Sequence, residues 1–254
     1  MEITLAHAAL LIVAGFVSGI INTLAGGGSF LTLAALNFVG LPITIANGSN
    51  RLGILLGAIA GALGFRSKGA SEIKTSLHYA IPALFGAIVG AYLVIDIKEV
   101  VFERVLGVCM LLMLAILILN PKKWLEGRVV VMTPRRRAIS YVVFFLVGIY
   151  GGAIQAGIGF LLIASLVVTA GVDLVKANMH KVFITATYTI VALLIFALQG
   201  QVNWTYGLVL TIGYGLGSWL SSRIAIEKGQ GFVRLVLALS LVVLAAQYLG
   251  LFSL

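Results

Sequence analysis

Of 254 residues, 61% are hydrophobic and only 10% charged, against about a quarter charged in a soluble domain. With mean hydropathy at +1.14, water-facing charge cannot cover this surface, so lipid must. The net charge of +9 sits in loops, where membrane proteins keep it, and so excludes a nucleic-acid footprint. The single cysteine, Cys109, lies in an apolar run and excludes an intrachain disulfide and a zinc framework.

Eight hydrophobic segments follow one another. The first, residues 7–40, exceeds the ~20 residues of one crossing and is broken by Ala25-Gly26-Gly27-Gly28-Ser29. Glycine is a poor helix former, so this segment reads as two half-helices with an unwound tip. No basic stretch precedes it, so no cleavable signal peptide is expected. Segments at 45–65, 77–95 and 100–119 complete a first unit, and a basic linker spans 120–138. The fifth segment, 139–171, is broken at Ala156-Gly157-Ile158-Gly159-Phe160, and segments at 174–198, 204–222 and 231–251 follow. Trp124, Tyr141 and Trp204 stand at segment ends, as interface anchors do.

The second unit repeats the first. Gly15 and Gly19 match Gly148 and Gly152, Gly26-x-Gly28 matches Gly157-x-Gly159, and Ala46-Asn47 matches Ala177-Asn178. Tyr79, Gly86 and Gly90 match Tyr206, Gly213 and Gly217. The expected architecture is therefore an all-α integral membrane protein with repeats at 1–119 and 139–254. If segments one and five are re-entrant hairpins, all three basic loops (Arg66 to Lys74, the linker, Arg223 to Lys228) fall on the cytoplasmic side. That choice inverts the two repeats, the arrangement of many secondary transporters. If both segments cross fully, the third basic loop faces outward, against the positive-inside tendency.

Unwound backbone is tolerated at membrane depth only against protein or water. The tips Gly26, Gly27, Gly28 and Ser29, and Gly157 and Gly159, are thus expected to meet inside, with helix N-termini near Ser29 and Phe160 offering N–H groups to an anion. Asn22 and Gln155 precede the tips as hydrogen-bond donors or as caps. Asn47, Ser49, Asn50 and Arg51 in one half, and Asn178, His180 and Lys181 in the other, are expected to face the same cavity. Arg51 and Lys181 would be its fixed cations, the alternative being that they snorkel to the interface. The imidazole of His180 is the group expected to offer a link to protons. All eight acids, Glu2, Glu72, Asp96, Glu99, Glu103, Glu126, Asp173 and Glu227, fall in loops or at segment ends. An interior of amides, hydroxyls and cations without carboxylates favours an anion. No catalytic, metal or nucleotide motif is visible, so no enzyme, cofactor or metal site is expected.

The run Ala25-Gly26-Gly27-Gly28-Ser29-Phe30-Leu31-Thr32, with Gly40-Leu41-Pro42 and Ala46-Asn47-Gly48-Ser49-Asn50-Arg51-Leu52, resembles the TauE/SafE family of sulfite and organosulfonate exporters. The weaker Gly157-Ile158-Gly159-Phe160 and Ala177-Asn178 are similar to its repeated motif, and the resemblance covers nearly the whole chain. It implies a multi-pass protein of a bacterial or archaeal cytoplasmic membrane that transports sulfur-containing anions such as sulfite or sulfonates. An anion channel on the same scaffold and a membrane-embedded enzyme of sulfur metabolism stay open as alternatives. Unitary currents would mark the channel, and turnover without vectorial movement the enzyme.

Overall fold

A computed structural model describes residues 3–70, 73–102, 104–105, 108 and 132–248. Cys109, Trp124 and most of the fourth segment and of the linker lie outside them. The described elements are helices: α1 (Leu5–Leu24), α2 (Ser29–Phe38), α3 (Ile43–Ser67), α4 (Ile73–Val94), α5 (Pro134–Ala153), α6 (Ile158–Ala170), α7 (Leu174–Leu198) and α8 (Trp204–Tyr248). Four are long and apolar enough to cross a membrane: α1, α3, α4 from Thr75 onward, and α7. At 1.5 Å per residue, α2 and α6 reach only about 15 and 20 Å, short of a ~30 Å hydrocarbon core.

The breaks in segments one and five stand where glycine predicts them. The boundary before α5 does not. The helix begins at Pro134, earlier than the apolar run, because Thr133 accepts a hydrogen bond from the Arg136 N–H and proline occupies the first turn, a favoured start. Segments seven and eight form one helical element, α8, interrupted at Gly229 (φ 71°, ψ −169°). The residues leading into it, Arg223 to Lys228, are mostly good helix formers, so only the glycine breaks the run.

Two seams hold the halves together, and each joins a broken helix of one half to a helix of the other. Along α1 and α8, a Cβ on Gly15 or Gly19 would strike the carbonyls of Leu210 or Tyr214, and one on Gly213 or Gly217 those of Ile12 or Phe16. Along α4 and α5, Gly86 and Gly90 lie on the carbonyls of Phe145 and Ile149, and Gly148 and Gly152 on those of Ala83 and Ala87. Within lipid no hydrophobic force drives helices together, so such close backbone approach supplies the attraction. The outer faces present large apolar side chains, among them Val13, Phe85, Val142 and Leu216, each exposed. Gly213→Ala is expected to lower stability by about 1–3 kcal/mol through overpacking. Gly215→Ala, two residues away with nothing within 4 Å of its added methyl, should be neutral or stabilising, since alanine is the better helix residue. Thermal unfolding of the two variants in detergent reads the difference.

Several of the described basic residues share one face. Arg136, at the start of α5, donates from Nε and Nη2 to the carbonyls of Thr169 and Val168 at the end of α6 (3.2 and 2.7 Å). The hairpin's open ends therefore meet. Lys68 after α3 lies 2.6 Å from Glu227 beside the bend of α8. The hydrogen bond and charge of Lys68 hold that carboxyl below its usual range, so the tie is complete above the ordinary carboxylate pKa and is lost on acidification through the lowered value. The opposite face holds the starts of α3 and α8. There Glu99 Oε1 accepts from the Ile43 N–H (2.8 Å), Gln201 Nε2 donates to the Ile95 carbonyl (2.5 Å), and the Asn203 N–H donates to Ser49 Oγ (2.8 Å).

Candidate functional site

The two breaks meet. Gly26 (φ +100°) and Gly159 lie so close that a Cβ on either would overlap the backbone of the other. Gly157 (φ 72°) and Gly28 are the N-cap residues of α6 and α2, and neither helix has a side-chain cap. By contrast Thr4, Thr133 and Asp173 cap α1, α5 and α7 with their side chains. The first N–H groups of a helix have no intrahelical acceptor and carry partial positive charge. Two such ends are thus brought together in the interior. Gly26, Gly28, Ser29, Gly157 and Gly159 are buried, while Gly27 and Asn22 stay partly open.

The polar runs act across the halves. Arg51 on α3 is 0% exposed. Its Nη1 donates to the Gly151 carbonyl (3.0 Å) and to Gln155 Oε1 (2.7 Å), and its Nη2 to the carbonyls of Gly152 (2.5 Å) and Ala153 (3.1 Å). Its guanidinium carbon stands 4.4 Å from the centre of the Phe196 ring. Asn47 Nδ2 adds a bond to the Ala153 carbonyl (2.9 Å). These groups satisfy the last carbonyls of α5, where the helix dipole favours a cation. The second half does the same for α1. Lys181 Nζ donates to the carbonyls of Asn22 (2.6 Å) and Thr23 (2.8 Å) and to Asn178 Oδ1 (2.6 Å), while Asn178 Nδ2 donates to the Leu24 carbonyl (3.0 Å). Each half therefore clamps the broken helix of the other.

Of the two readings of these cations, the geometry removes the alternative: Arg51 and Lys181 do not snorkel, and both are buried, because unpaired carbonyls at a helix break need donors inside the protein. All three protons of Lys181 are engaged in these bonds. Arg51 Nε, Asn47 Oδ1 and Asn50 Oδ1 are buried without a partner among the described residues. Gln155 is held between Arg51 and Thr189 Oγ1 (3.0 Å) and takes positive φ (65°), a strain of about 1–3 kcal/mol that its surroundings must hold. Its counterpart Asn22 has no side-chain partner among the described residues and borders Gly28. Ser49 and His180 lie away from the tips, in contacts between halves.

Sequence reasoning missed two tyrosines. Tyr214 of α8 crosses beside Gly57, and its buried hydroxyl has no hydrogen-bond partner among the described residues. Tyr188 of α7 packs on Gly151, and its buried hydroxyl has no hydrogen-bond partner among the described residues. Their position in mid-segment, away from any interface belt, was the available signal. Of the described acids, Glu99 and Asp173 bind helix starts and Glu227 binds Lys68, which leaves these three away from the tips.

A lipid-sheathed helical protein whose broken helices converge on a buried, cationic, glycine-lined centre belongs to the class of membrane transporters rather than enzymes. The sulfite exporter TauE/SafE family model matches residues 11–248, and the chain belongs to that family. It is similar to a probable membrane transporter protein of Haemophilus influenzae, 29% identical over 92% of this chain and 91% of that one. It is also similar to the probable membrane transporter protein YfcA of Escherichia coli, 30% identical over 91% of this chain and 86% of that one. A probable membrane transporter protein of Sinorhizobium, ORF9, is 29% identical over 95% of this chain and 92% of its own length. No solved structure matches the chain.

Proposed function

We propose that the protein is a secondary transporter that exports small sulfur-containing oxyanions, such as sulfite or organosulfonates, across the cytoplasmic membrane. The observation that carries this reading is the pair of helix N-termini without side-chain caps, at Gly28 and Gly157, brought together by the Gly26–Gly159 contact. An oxyanion between them accepts backbone N–H bonds, with Asn22 and the Ser29 hydroxyl at its edge and the charges of Arg51 and Lys181 behind. Backbone contact at the centre favours a carrier over an open channel.

In this reading segments one and five are re-entrant hairpins and the two halves are inverted. The Arg136 bonds between the open ends of α5 and α6 support it, as do the short reaches of α2 and α6. The basic face is cytoplasmic by the positive-inside tendency, and transport proceeds by rocking one half against the other. The test is a thermal-shift screen of purified protein against sulfite, thiosulfate, sulfate and small sulfonates, followed by flux in proteoliposomes. A ligand at 100 times its Kd should stabilise the fold by about 2.7 kcal/mol. Absence of both a shift and flux for every sulfur anion removes the substrate reading.

A further inference from the structure

One tyrosine stands beside each uncapped helix start. Tyr188 of α7 and Tyr214 of α8 are both 0% exposed, and neither hydroxyl has a hydrogen-bond partner among the described residues. The α1–α8 seam places Tyr214: its backbone lies against Gly15 and Gly19. Its ring crosses Gly53 and Gly57 of α3 toward Ser29, the first residue of α2. Tyr188 Cζ, the carbon that carries the hydroxyl, lies 3.1 Å from the place a Cβ on Gly151 would take. Ile158, the first residue of α6, meets that same place, and Arg51 donates to the Gly151 carbonyl. Tyr188 is within electrostatic reach of both Arg51 and Tyr214.

Packing does not ask for these hydroxyls. Phenylalanine fills nearly the same space, and a buried hydroxyl left unsatisfied costs about 1–3 kcal/mol. Such a group calls for a partner from outside the chain. The matched positions of the two units show no phenol. The register of Ala46-Asn47 with Ala177-Asn178 sets Gly57 opposite Tyr188, and that of Tyr79 with Tyr206 sets Ala87 opposite Tyr214. Ser18 Oγ and Arg51 Nε are also buried without a partner among the described residues. Gly28 packs on the Ser18 carbonyl, and Arg51 binds the Gly151 carbonyl, so these two residues also border the tips. Three hydroxyls, a guanidinium N–H and two helix starts form a donor set, the complement of an oxyanion. The unpaired oxygens of Asn47 and Asn50 are acceptors and take no part in it.

We propose that the Tyr188 and Tyr214 hydroxyls donate to the transported oxyanion, one beside each helix start. This inference rests on the transport reading above. Each phenol serves one oxygen and the backbone N–H groups serve the others. The site therefore selects a guest with three or more terminal oxygens, as sulfite, sulfate and sulfonates have, over a single-atom halide. In the empty protein both hydroxyls go unsatisfied, so stability is held below what phenylalanine at either position would give, a common cost of function.

The experiment compares Tyr188→Phe and Tyr214→Phe with the wild type and with Tyr206→Phe. The Tyr206 hydroxyl is also buried without a partner among the described residues, but Tyr206 lies about 12 Å before Tyr214 along α8. Thermal unfolding of purified protein is followed without anion and over a range of sulfite, sulfate, methanesulfonate or chloride, and sulfite flux is measured in proteoliposomes. Without anion, all three variants should unfold at or above the wild-type temperature, since removing an unpaired hydroxyl breaks no bond. The oxyanion concentration for half-maximal shift should rise about tenfold or more in Tyr188→Phe and in Tyr214→Phe, as for a lost hydrogen bond to a charged group. It should be unchanged in Tyr206→Phe, flux at low sulfite should fall in parallel, and chloride should shift none of them. An unchanged half-maximal concentration in either tip variant overturns the proposal for that tyrosine and leaves transport standing. A tip variant that fails to fold, or unfolds below the wild type without anion, reveals a structural partner for its hydroxyl and overturns it likewise. If oxyanions bind with the expected dependence on both tyrosines but none is carried across the membrane, the transport reading fails and the site survives. If no oxyanion shifts the wild type, both fall.

Discussion

Arg51→Ala is expected to destabilise the folded protein by about 3 kcal/mol or more, since each buried acceptor left unsatisfied costs about 1–3 kcal/mol. The guanidinium serves three consecutive carbonyls, Gly151, Gly152 and Ala153, and the Gln155 side chain. Without it these acceptors are left with Asn47 alone, in a site that water and lipid cannot supply. Gln155 also loses the contact that holds its positive φ. Arg51→Lys should recover less than half of the loss, because a single ammonium cannot bridge both sides of a planar fork. Chemical or thermal unfolding in detergent measures this, and flux in proteoliposomes of matched folded protein measures the rest. A variant that unfolds like the wild type but no longer transports would make Arg51 a substrate ligand instead of a clamp.

The fold was legible where glycine interrupts apolar runs. Gly26 to Gly28 and Gly157 to Gly159 mark both tips because clustered glycine opposes helix inside otherwise apolar runs. The glycines matched between the two units, Gly15 and Gly19 with Gly148 and Gly152 and Gly86 and Gly90 with Gly213 and Gly217, all lie against opposing backbone. The partners of the polar runs were not legible. Arg51 and Asn47 read as cavity groups because their spacing says only which face of α3 they share. That this face meets the end of α5, 100 residues further along, depends on how the halves interlock, which no local pattern records. Lys181 and α1 repeat the difficulty across 158 residues. Tyr188 and Tyr214 were hidden among apolar neighbours, where an aromatic ring reads as core.

The tip contact predicts an ordered series. Gly159→Ala and Gly26→Ala each place a methyl in the other's backbone. Neither atom can move without moving its hairpin, so both variants should lose stability by about 1–3 kcal/mol from overpacking, and transport by tenfold or more. Gly26→Ala should be the worse of the two, since its φ of +100° adds the penalty that any side chain meets in that region. Gly27→Ala is the contrast. Its methyl would meet only the outer edge of the Phe160 ring, a side chain that can turn aside, so stability should change by less than about 1 kcal/mol. If Phe160 closes over the anion, transport in Gly27→Ala should fall while folding holds, and Gly27→Ala with Phe160→Leu should regain it. Equal tolerance at all three glycines would mean that the tips do not touch in the working protein, and the paired N-termini would then have no common anion to hold.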